Sequence, residues 1–479
     1  MVGSPSRRSA ELSQLPATRQ IQQTLSAFLG TRVAPGARLC VGFSGGRDSL
    51  VLLHALAALH SSKPVFELSA VHVHHGLSAS ADAWAGFCSD FCRRCGVPLA
   101  IVRVEVPRGS AEGLEAAARR LRHAVFGGCS ADWLALAHHR DDQAETVLFR
   151  LLRGAGVSGA AGMPAERGQS GGPRLIRPLL EMPGAVIARY AQEHSLAWVE
   201  DESNGDSRYR RNYLRHEVMP RIEVQFPGAA ASLVRAGRHF AEAALLLEEL
   251  AQVDRALVAT SSGRIGLARF NSLSAPRARN LLRSELQSAG FRAPTARWLD
   301  EALRQLATVE ATSATCISSP DGEIHAYRGE LHVLHQRPDV PVGTVSWGGE
   351  AELPWGADRI TFTPTTGVGI HRQLLAGASL RLTSRQGGEC LQPDPQRPSR
   401  TLKKLFQEAA IPPWERLRLP LLWCGERLVW VAGIGTDAAF TCPPGEPGLL
   451  LAWQRAAPPL SLGSALAVLK CAHSTLAGQ

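Results

Sequence analysis

Short apolar runs alternate with amphipathic stretches through the first third of the chain. The segments "RLCVGF" (38–43), "LSAVHVHH" (68–75), "PLAIVRVEV" (98–106) and "DWLALAHH" (132–139) are short and rich in β-branched or aliphatic residues, and they read as strands. Between them, "SLVLLHALAALH" (49–60) and "SAEGLEAAARRLRHAVFGGC" (110–129) place apolar residues at helical spacing. Strands separated by helices predict βαβ units and an α/β fold, a parallel sheet with helices on both faces. In such sheets ligands bind at the carboxyl ends of the strands. Three polar stretches fall at such ends: Ser44 to Ser49, His74 to Ser78, and His138 to Glu145.

The texture changes after about Phe226. "GAAASLVRAGRHFAEAALLLEELAQVDRAL" (228–257), "APRARNLLRSELQSAG" (275–290) and "TARWLDEALRQLATV" (295–309) are helical patterns and predict a helical middle domain. "HQRPDVPVGTVSWGGEAELPWG" (335–356) is rich in Pro and Gly and reads as a linker or irregular β region. A small mixed α/β unit comes next, with strands in "LLWCGERLVWVAGIG" (421–435) and a basic helix in "RTLKKLFQEAA" (400–410). The expected division is 20–222 for the catalytic domain, 223–336 for the helical domain, 337–374 for the linker and 375–458 for the C-terminal domain.

With 479 residues the chain is too long for one ordinary domain. Its formal net charge of +9 suits a polyanionic partner as well as it suits an arginine-rich solvated surface. The first twenty residues have no apolar core of a secretory signal, and no run has the roughly 18 apolar residues of a membrane helix. A cytoplasmic protein with no membrane partner is expected, its ten cysteines present as thiols. Cys88, Cys92 and Cys95 share one helix face. With Phe87 and Phe91 beside them and no fourth ligand at metal spacing, packing is the preferred reading over metal chemistry.

The chemistry begins at "SGGRDS". A strand, two glycines and a helix N-terminus make a nest of backbone N–H groups that favours an anion. Gly45 and Gly46 admit oxygens where a Cβ would clash. Ser44 and Ser49 add hydroxyls, and Arg47 lies within the same loop. Asp48 is an odd neighbour for phosphate unless a cation lies between, so it reads as a Mg²⁺ ligand. The plainer alternative is a tight turn capped by Asp48 or Ser49. The stretch lacks the Gly-Lys-Ser/Thr ending of a Walker A loop and the third glycine of a dinucleotide fingerprint.

The second constellation is "AHHRDDQAETVLFRLLRGAG" (137–156). His138, Asp142 and Glu145 fall at i, i+4 and i+7, one face if a helix begins near His138. Such a face could hold an ammonium group and help remove its proton. The alternative is local capping by Asp142 with Glu145 three residues on.

"SGGRDS" resembles the pyrophosphate loop of the N-type ATP pyrophosphatases, the PP-loop superfamily. Together with "HHRDDQAET" it resembles the paired signatures of the tRNA(Ile)-lysidine synthetases. "VHVHHGLSASAD", "LEAAARRLRHAVF", "RPLLEMPGAVIARY", "WVEDESNGDSRYRRNYLRHEVMP" and the stretch from Arg385 to Trp423 resemble further segments of that family, in family order. The resemblance runs from about Gln20 to about Trp453. Gly184 stands where the family commonly has arginine, and His123 where it has tyrosine.

The resemblance implies ligation of free lysine, with ATP as substrate, to C2 of the wobble cytidine of isoleucine tRNA with a CAU anticodon. The C2 oxygen would be adenylated first, and the lysine ε-amine would then expel AMP. It implies that Gly45, Gly46 and Ser49 hold pyrophosphate, that Asp48 holds Mg²⁺, and that Arg119 and Arg211 lie at the reacting centre. Asp142 and Glu145 would hold lysine, with His138 nearby. Lys403, Lys404, Arg400 and Arg385 are candidates for tRNA phosphates, and a homodimer is left open. Two rival readings remain, a tRNA thiolase of the same superfamily and a non-catalytic RNA-binding protein. The thiolase would need catalytic cysteines or an iron–sulfur cluster, and Cys92-Arg93-Arg94-Cys95, the only CxxC in the chain, is better read as buried.

Overall fold

The computed structural model describes residues 15–107, 109, 113–168, 171–206, 208–309, 315–335 and 343–455. The N-terminal stretch read for a signal and the tail after Arg455 lie outside them. The chain forms two compact units, Met1–Leu247 and Glu248–Gln479.

The first unit is built on a six-stranded sheet of order β3-β2-β1-β4-β6-β5. Its strands are β1 (Arg38–Gly42), β2 (Glu67–His74), β3 (Leu99–Arg103), β4 (Trp133–Ala135), β5 (Glu166–Arg167) and β6 (Arg174–Ile176). All neighbours are parallel except β5, which runs antiparallel to β6. The helices are α1 (Ala17–Gly30), α2 (Arg47–Ser62), α3 (Ala81–Arg94), α4 (Leu114–Gly127), α5 (Arg140–Leu152) and α6 (Gly184–Glu193). The α2 run from Leu50 to Leu56 is almost entirely buried, packed with Ile21 and Leu25 of α1 and Ile187 and Tyr190 of α6. That all-round burial explains a helix apolar on every side.

The chain leaves β1 toward β2 on one side, while β4 returns on the other. This reversal of strand order opens a crevice at the carboxyl ends of β1 and β4. Two of the three polar stretches, Ser44–Ser49 and His138–Glu145, leave those two strands.

The three-cysteine face of α3 is core. Cys88 and Cys92 are buried in the main cluster with Phe91, and burial pushes both thiols up to about 12. A neutral, enclosed thiol packs as a small hydrophobe.

A 30-residue helix, Ala229–Val258, carries the chain from the first unit into the second. The expected helical domain contains more than helices. Ile265–Gly266, Glu330–His335, Gly322–Tyr327 and Thr315–Ser319 form an antiparallel sheet in that order. One of its two-residue turns is Arg328-Gly329, both at positive φ (51° and 73°) between Tyr327 and Glu330, which pair directly. Two residues at positive φ suit a two-residue hairpin loop. The run "EIHAYRGELHVLH" carried this signal as alternation around Arg-Gly, and the helical stretches before it masked it.

The stretch read as a linker or irregular β region forms sheet over much of its described residues. Thr344–Trp347 pairs with Leu380–Thr383, and Asp358–Thr366 pairs along its length with Pro447–Gln454. Pro354 lies on the edge strand Glu352–Trp355, and Gly348, Gly349 and Gly356 lie at bends and turns, which suits short antiparallel strands. The basic helix is Leu402–Glu408, with Leu402, Leu405 and Phe406 inward and Lys403 and Lys404 exposed. No helix among the described residues is long and apolar enough to cross a membrane.

Candidate active site

The loop after β1 is held by its own hydroxyls. Ser44 and Ser49 join Oγ to Oγ at 3.0 Å, Ser49 Oγ donates to the Gly46 carbonyl at 2.9 Å, and Gly46 N–H donates to Ser44 Oγ at 3.3 Å. Both hydroxyls therefore shape the loop, where the sequence suggested ligand donors. Gly45 has φ +85°, and a Cβ there would lie 3.0 Å from Cys88 Sγ, so backbone and packing both require glycine. Gly46 differs. Its φ is −72°, and its nearest neighbour would be 3.5 Å away, so its bare backbone is not demanded from inside the fold. Gly46, not Asp48 or Ser49, is the N-cap of α2. The first intrahelical bond is Leu50 N–H to the Gly46 carbonyl, which leaves the amides of Arg47, Asp48 and Ser49 as helix N-terminal donors.

Asp48 accepts from Arg47 Nε at 2.8 Å and faces His139 Nε2 at 3.5 Å. Burial would raise its carboxyl, but the hydrogen bond and charge of His139, then Arg47, outweigh burial and hold it below the ordinary carboxylate range.

The second loop differs from the simple helical face. Helix α5 begins at Arg140, so His138 precedes it. His139 is the N-cap. Its Nδ1 accepts from Asp141 N–H at 3.2 Å, while its own N–H donates to Asp142 Oδ2 at 3.0 Å. This is a capping box with histidine in the serine place, shifted by three residues from the Asp142 cap considered in the sequence. His139 Nε2 is 3.5 Å from Asp142 Oδ2 as well as from Asp48. Burial lowers the His139 pKa, but Asp48, Asp142 and Asp141 outweigh burial and raise it. The Asp141 amide at Nδ1 favours the neutral ring against that pull.

His138 lies in a different setting. Arg177 Nε donates to its Nδ1 at 3.3 Å, and Arg177 also donates to the Pro164 carbonyl at 2.7 Å. Burial first, and the charges of Arg177, Arg211 and Arg122 beyond it, push His138 down to about 4 against the pull of Asp142. With Nδ1 already accepting, the ring's single proton is on Nε2. The expected role of His138 as proton acceptor therefore has no free lone pair in this arrangement.

Asp142 and Glu145 come together as expected, both buried on the first turns of α5. Their partner is one that sequence reasoning missed. Arg215 donates to Asp142 Oδ1 at 2.6 Å and to Glu145 Oε1 and Oε2 at 2.7 and 2.8 Å. Arg211 is close behind, 3.6 Å from Glu145 and 3.8 Å from Asp142. Burial would raise the Asp142 carboxyl, but His139 and then Arg215 hold it down. The signal for Arg215 was present in "RRNYLR", where arginines at i and i+4 share a face.

Arg119 is not brought to these carboxylates. It is exposed on α4, and its charge is felt by His123, Arg150 and Arg177. Gly184 opens α6 against the capping box. A Cβ there would lie 2.5 Å from Asp141 Oδ2 and 3.1 Å from His139 Cε1, so the arginine of the family pattern would require the Asp141 carboxylate to swing aside. In the second unit, Arg400 is paired with Glu408 at 2.7 Å and Arg385 lies 3.6 Å from Glu389. Both are tied into their domain, which leaves Lys403 and Lys404 as the exposed pair on that helix.

Residues 16–222 match the PP-loop domain, and an anion nest on β1 beside the mouth of β4 is the arrangement of an ATP-using enzyme of that class. Residues 266–332 match the TilS substrate binding domain and 380–453 the TilS substrate C-terminal domain. A tRNA(Ile)-lysidine synthase from Aromatoleum aromaticum is 46% identical over 436 residues, covering 89% of this chain and 100% of that protein. Another from Nitrosomonas europaea is 43% identical, covering 89% and 93%. Among solved structures, a U34-tRNA thiolase from Methanococcus maripaludis is similar at a TM-score of 0.42 and 20% identity, over 47% of this chain and 80% of that one. The chain belongs to the tRNA(Ile)-lysidine synthase family and is a ligase.

Proposed function

We infer that this ligase joins the ε-amine of free lysine to C2 of the wobble cytidine of isoleucine tRNA bearing a CAU anticodon, converting ATP to AMP and diphosphate. The observation that carries the site assignment is the pairing of two buried carboxylates, Asp142 and Glu145, with an anion nest on the neighbouring strand. The nest suits the diphosphate portion of ATP, and the carboxylates suit an ammonium group.

Asp48 fits a Mg²⁺ ion. Its side chain is about one-third exposed, and magnesium takes one or two carboxylates and completes its shell with phosphates and water. Bound there, the ion would offset triphosphate charge.

In the first step the C2 oxygen of the base attacks the α-phosphorus and diphosphate leaves. In the second the lysine amine attacks C2 and AMP leaves. Arg211, next to the carboxylates, is placed to meet phosphate charge as it develops. Arg119 is assigned to the same phosphates from α4. The amine must be neutral to attack. Arg211 depresses the pKa of an amine held beside it, and the proton passes to solvent water, so deprotonation does not depend on His138.

The test is incubation of the full chain with ATP, lysine and CAU-anticodon isoleucine tRNA, followed by nucleoside mass analysis. Lysidine should appear, and without lysine the adenylated tRNA should accumulate. Glu145→Gln should raise the lysine KM while leaving adenylated tRNA detectable. An unchanged lysine KM sinks the carboxylate assignment.

A further inference from the structure

Asp142 and Glu145 are the carboxylates proposed to hold the lysine ε-ammonium, and the role inferred for their arginine partner rests on that reading. All four of their oxygens accept hydrogen bonds from the protein. Asp142 Oδ2 takes the His139 amide at 3.0 Å. The other three, Asp142 Oδ1 and both oxygens of Glu145, take the Arg215 guanidinium at 2.6, 2.7 and 2.8 Å. An ammonium seated between the two carboxylates would have to share oxygens that Arg215 already contacts. Adding it beside the guanidinium would bring two cations to contact distance in a partly buried site, where repulsion is several-fold stronger than in water.

We propose that Arg215 is an internal stand-in for lysine, and that lysine binds by exchange, the guanidinium withdrawing from Asp142 and Glu145 as the ε-ammonium enters. Exchange avoids leaving two buried carboxylates unpaired, which is the costly state. It also lowers the apparent affinity for lysine, because an existing ion pair must be broken.

The segment that carries Arg215 suits such a movement. Leu214–Val218 is a π-helical turn between short helices at Arg210–Tyr213 and Met219–Gln225, and such turns are less well bonded than α-helix and recur at functional sites. Arg215 is half-exposed, while its two partners are buried, so it has solvent to withdraw into. Arg211 precedes it by four residues on the same segment. Release of Arg215 therefore also repositions the arginine assigned to the reacting phosphate, and lysine binding becomes coupled to the geometry of the transfer step.

The experiment is equilibrium dialysis of labelled lysine with the full-length chain, with unfolding followed in parallel by circular dichroism. Arg215→Gln should bind lysine about tenfold more tightly or better. Unchanged or weaker binding overturns the proposal, because it makes Arg215 a structural clamp or a lysine contact. A second measurement needs no variant. In the wild-type chain, saturating lysine should speed amide hydrogen exchange in residues 210–218, and unchanged or slower exchange overturns the proposal. Glu145→Gln in the same dialysis separates the two readings. If it does not weaken lysine binding, the lysine site itself is misassigned. If it does, and Arg215→Gln is no tighter than wild type, only the stand-in falls.

Discussion

His139 Nε2 lies 3.5 Å from Asp48 Oδ2 and 3.5 Å from Asp142 Oδ2. One buried imidazole thus joins the loop after β1 to the helix after β4, the proposed ATP side of the site to the proposed lysine side. Replacing it by glutamine removes the helix cap and the Nε2 donor together. The cap accounts for about 1 kcal/mol of stability. Loss of the donor should weaken both ATP and lysine binding, measured separately by ATP–diphosphate exchange and by lysine KM. A variant that loses only the cap contribution to stability, with both constants intact, would show that His139 is structural.

Asp48 pairs with Arg47 and His139, yet keeps part of its carboxylate open to solvent. Asp48→Asn should cut AMP formation by about 100-fold or more, as loss of an ion at a triphosphate does. Filter binding should find tRNA affinity close to wild type. Near-normal turnover would remove Asp48 from the metal role.

Gly184 is the start of α6, and it packs onto Asp141 and His139. Gly184→Ala should cost about 1 kcal/mol or less, because the Cβ displaces only the end of the flexible Asp141 side chain. It should also tilt the His139 ring and lower kcat. The same substitution with unchanged melting and turnover would mean that the Asp141 side chain simply swings aside.

The parallel sheet and both loops of the candidate site were legible because period and punctuation agree there. Apolar runs end in Gly-Gly or His-His, at strand ends where ligands bind. Three things were not legible. Arg215 lies 70 residues beyond Glu145 in the chain, and only the tertiary fold shows which arginine of "RYRRNYLR" reaches the carboxylates. The two histidines at 138 and 139 are adjacent, and helical spacing favoured the first. The structure starts the helix two residues later, so His139 caps it and faces Asp48. In the second unit, short strands with prolines at their edges resemble linker in composition, and only their partners far along the chain show them to be sheet.

Those partners decide where a truncation can fall. A cut after Leu375 would strip Asp358–Thr366 of Pro447–Gln454, its partner strand, and leave an unpaired edge. A cut after His335 removes the C-terminal sheets whole. The shortened chain should keep ATP binding and lose tRNA affinity, and the salt dependence of the remaining binding should be shallower, since fewer phosphates are contacted. Equal tRNA affinity with an equal salt slope would place the tRNA contacts elsewhere.

His138 supplies a prediction with a defined pH window. In the folded chain it titrates at about 4, against 6.5 for a free histidine. Between those values the unfolded chain binds a proton that the folded chain does not. Stability from this group is therefore complete above about pH 6.5 and is lost as pH falls toward 4. The full difference amounts to about 3 kcal/mol. His138→Asn removes that titration, so its stability should fall less steeply than wild type between pH 6.5 and 4. Other groups that titrate there, such as His332, which is also held at about 4, are common to both proteins and cancel in the comparison. Because His138 is already neutral near pH 7 and its Nδ1 is engaged by Arg177, the pH profile of lysine transfer between about 6.5 and 8.5 should keep its shape in the variant. Urea unfolding of both proteins across the acid range, beside that profile, decides the matter. Parallel stability curves, or a shifted activity profile, would return His138 to the role of proton acceptor.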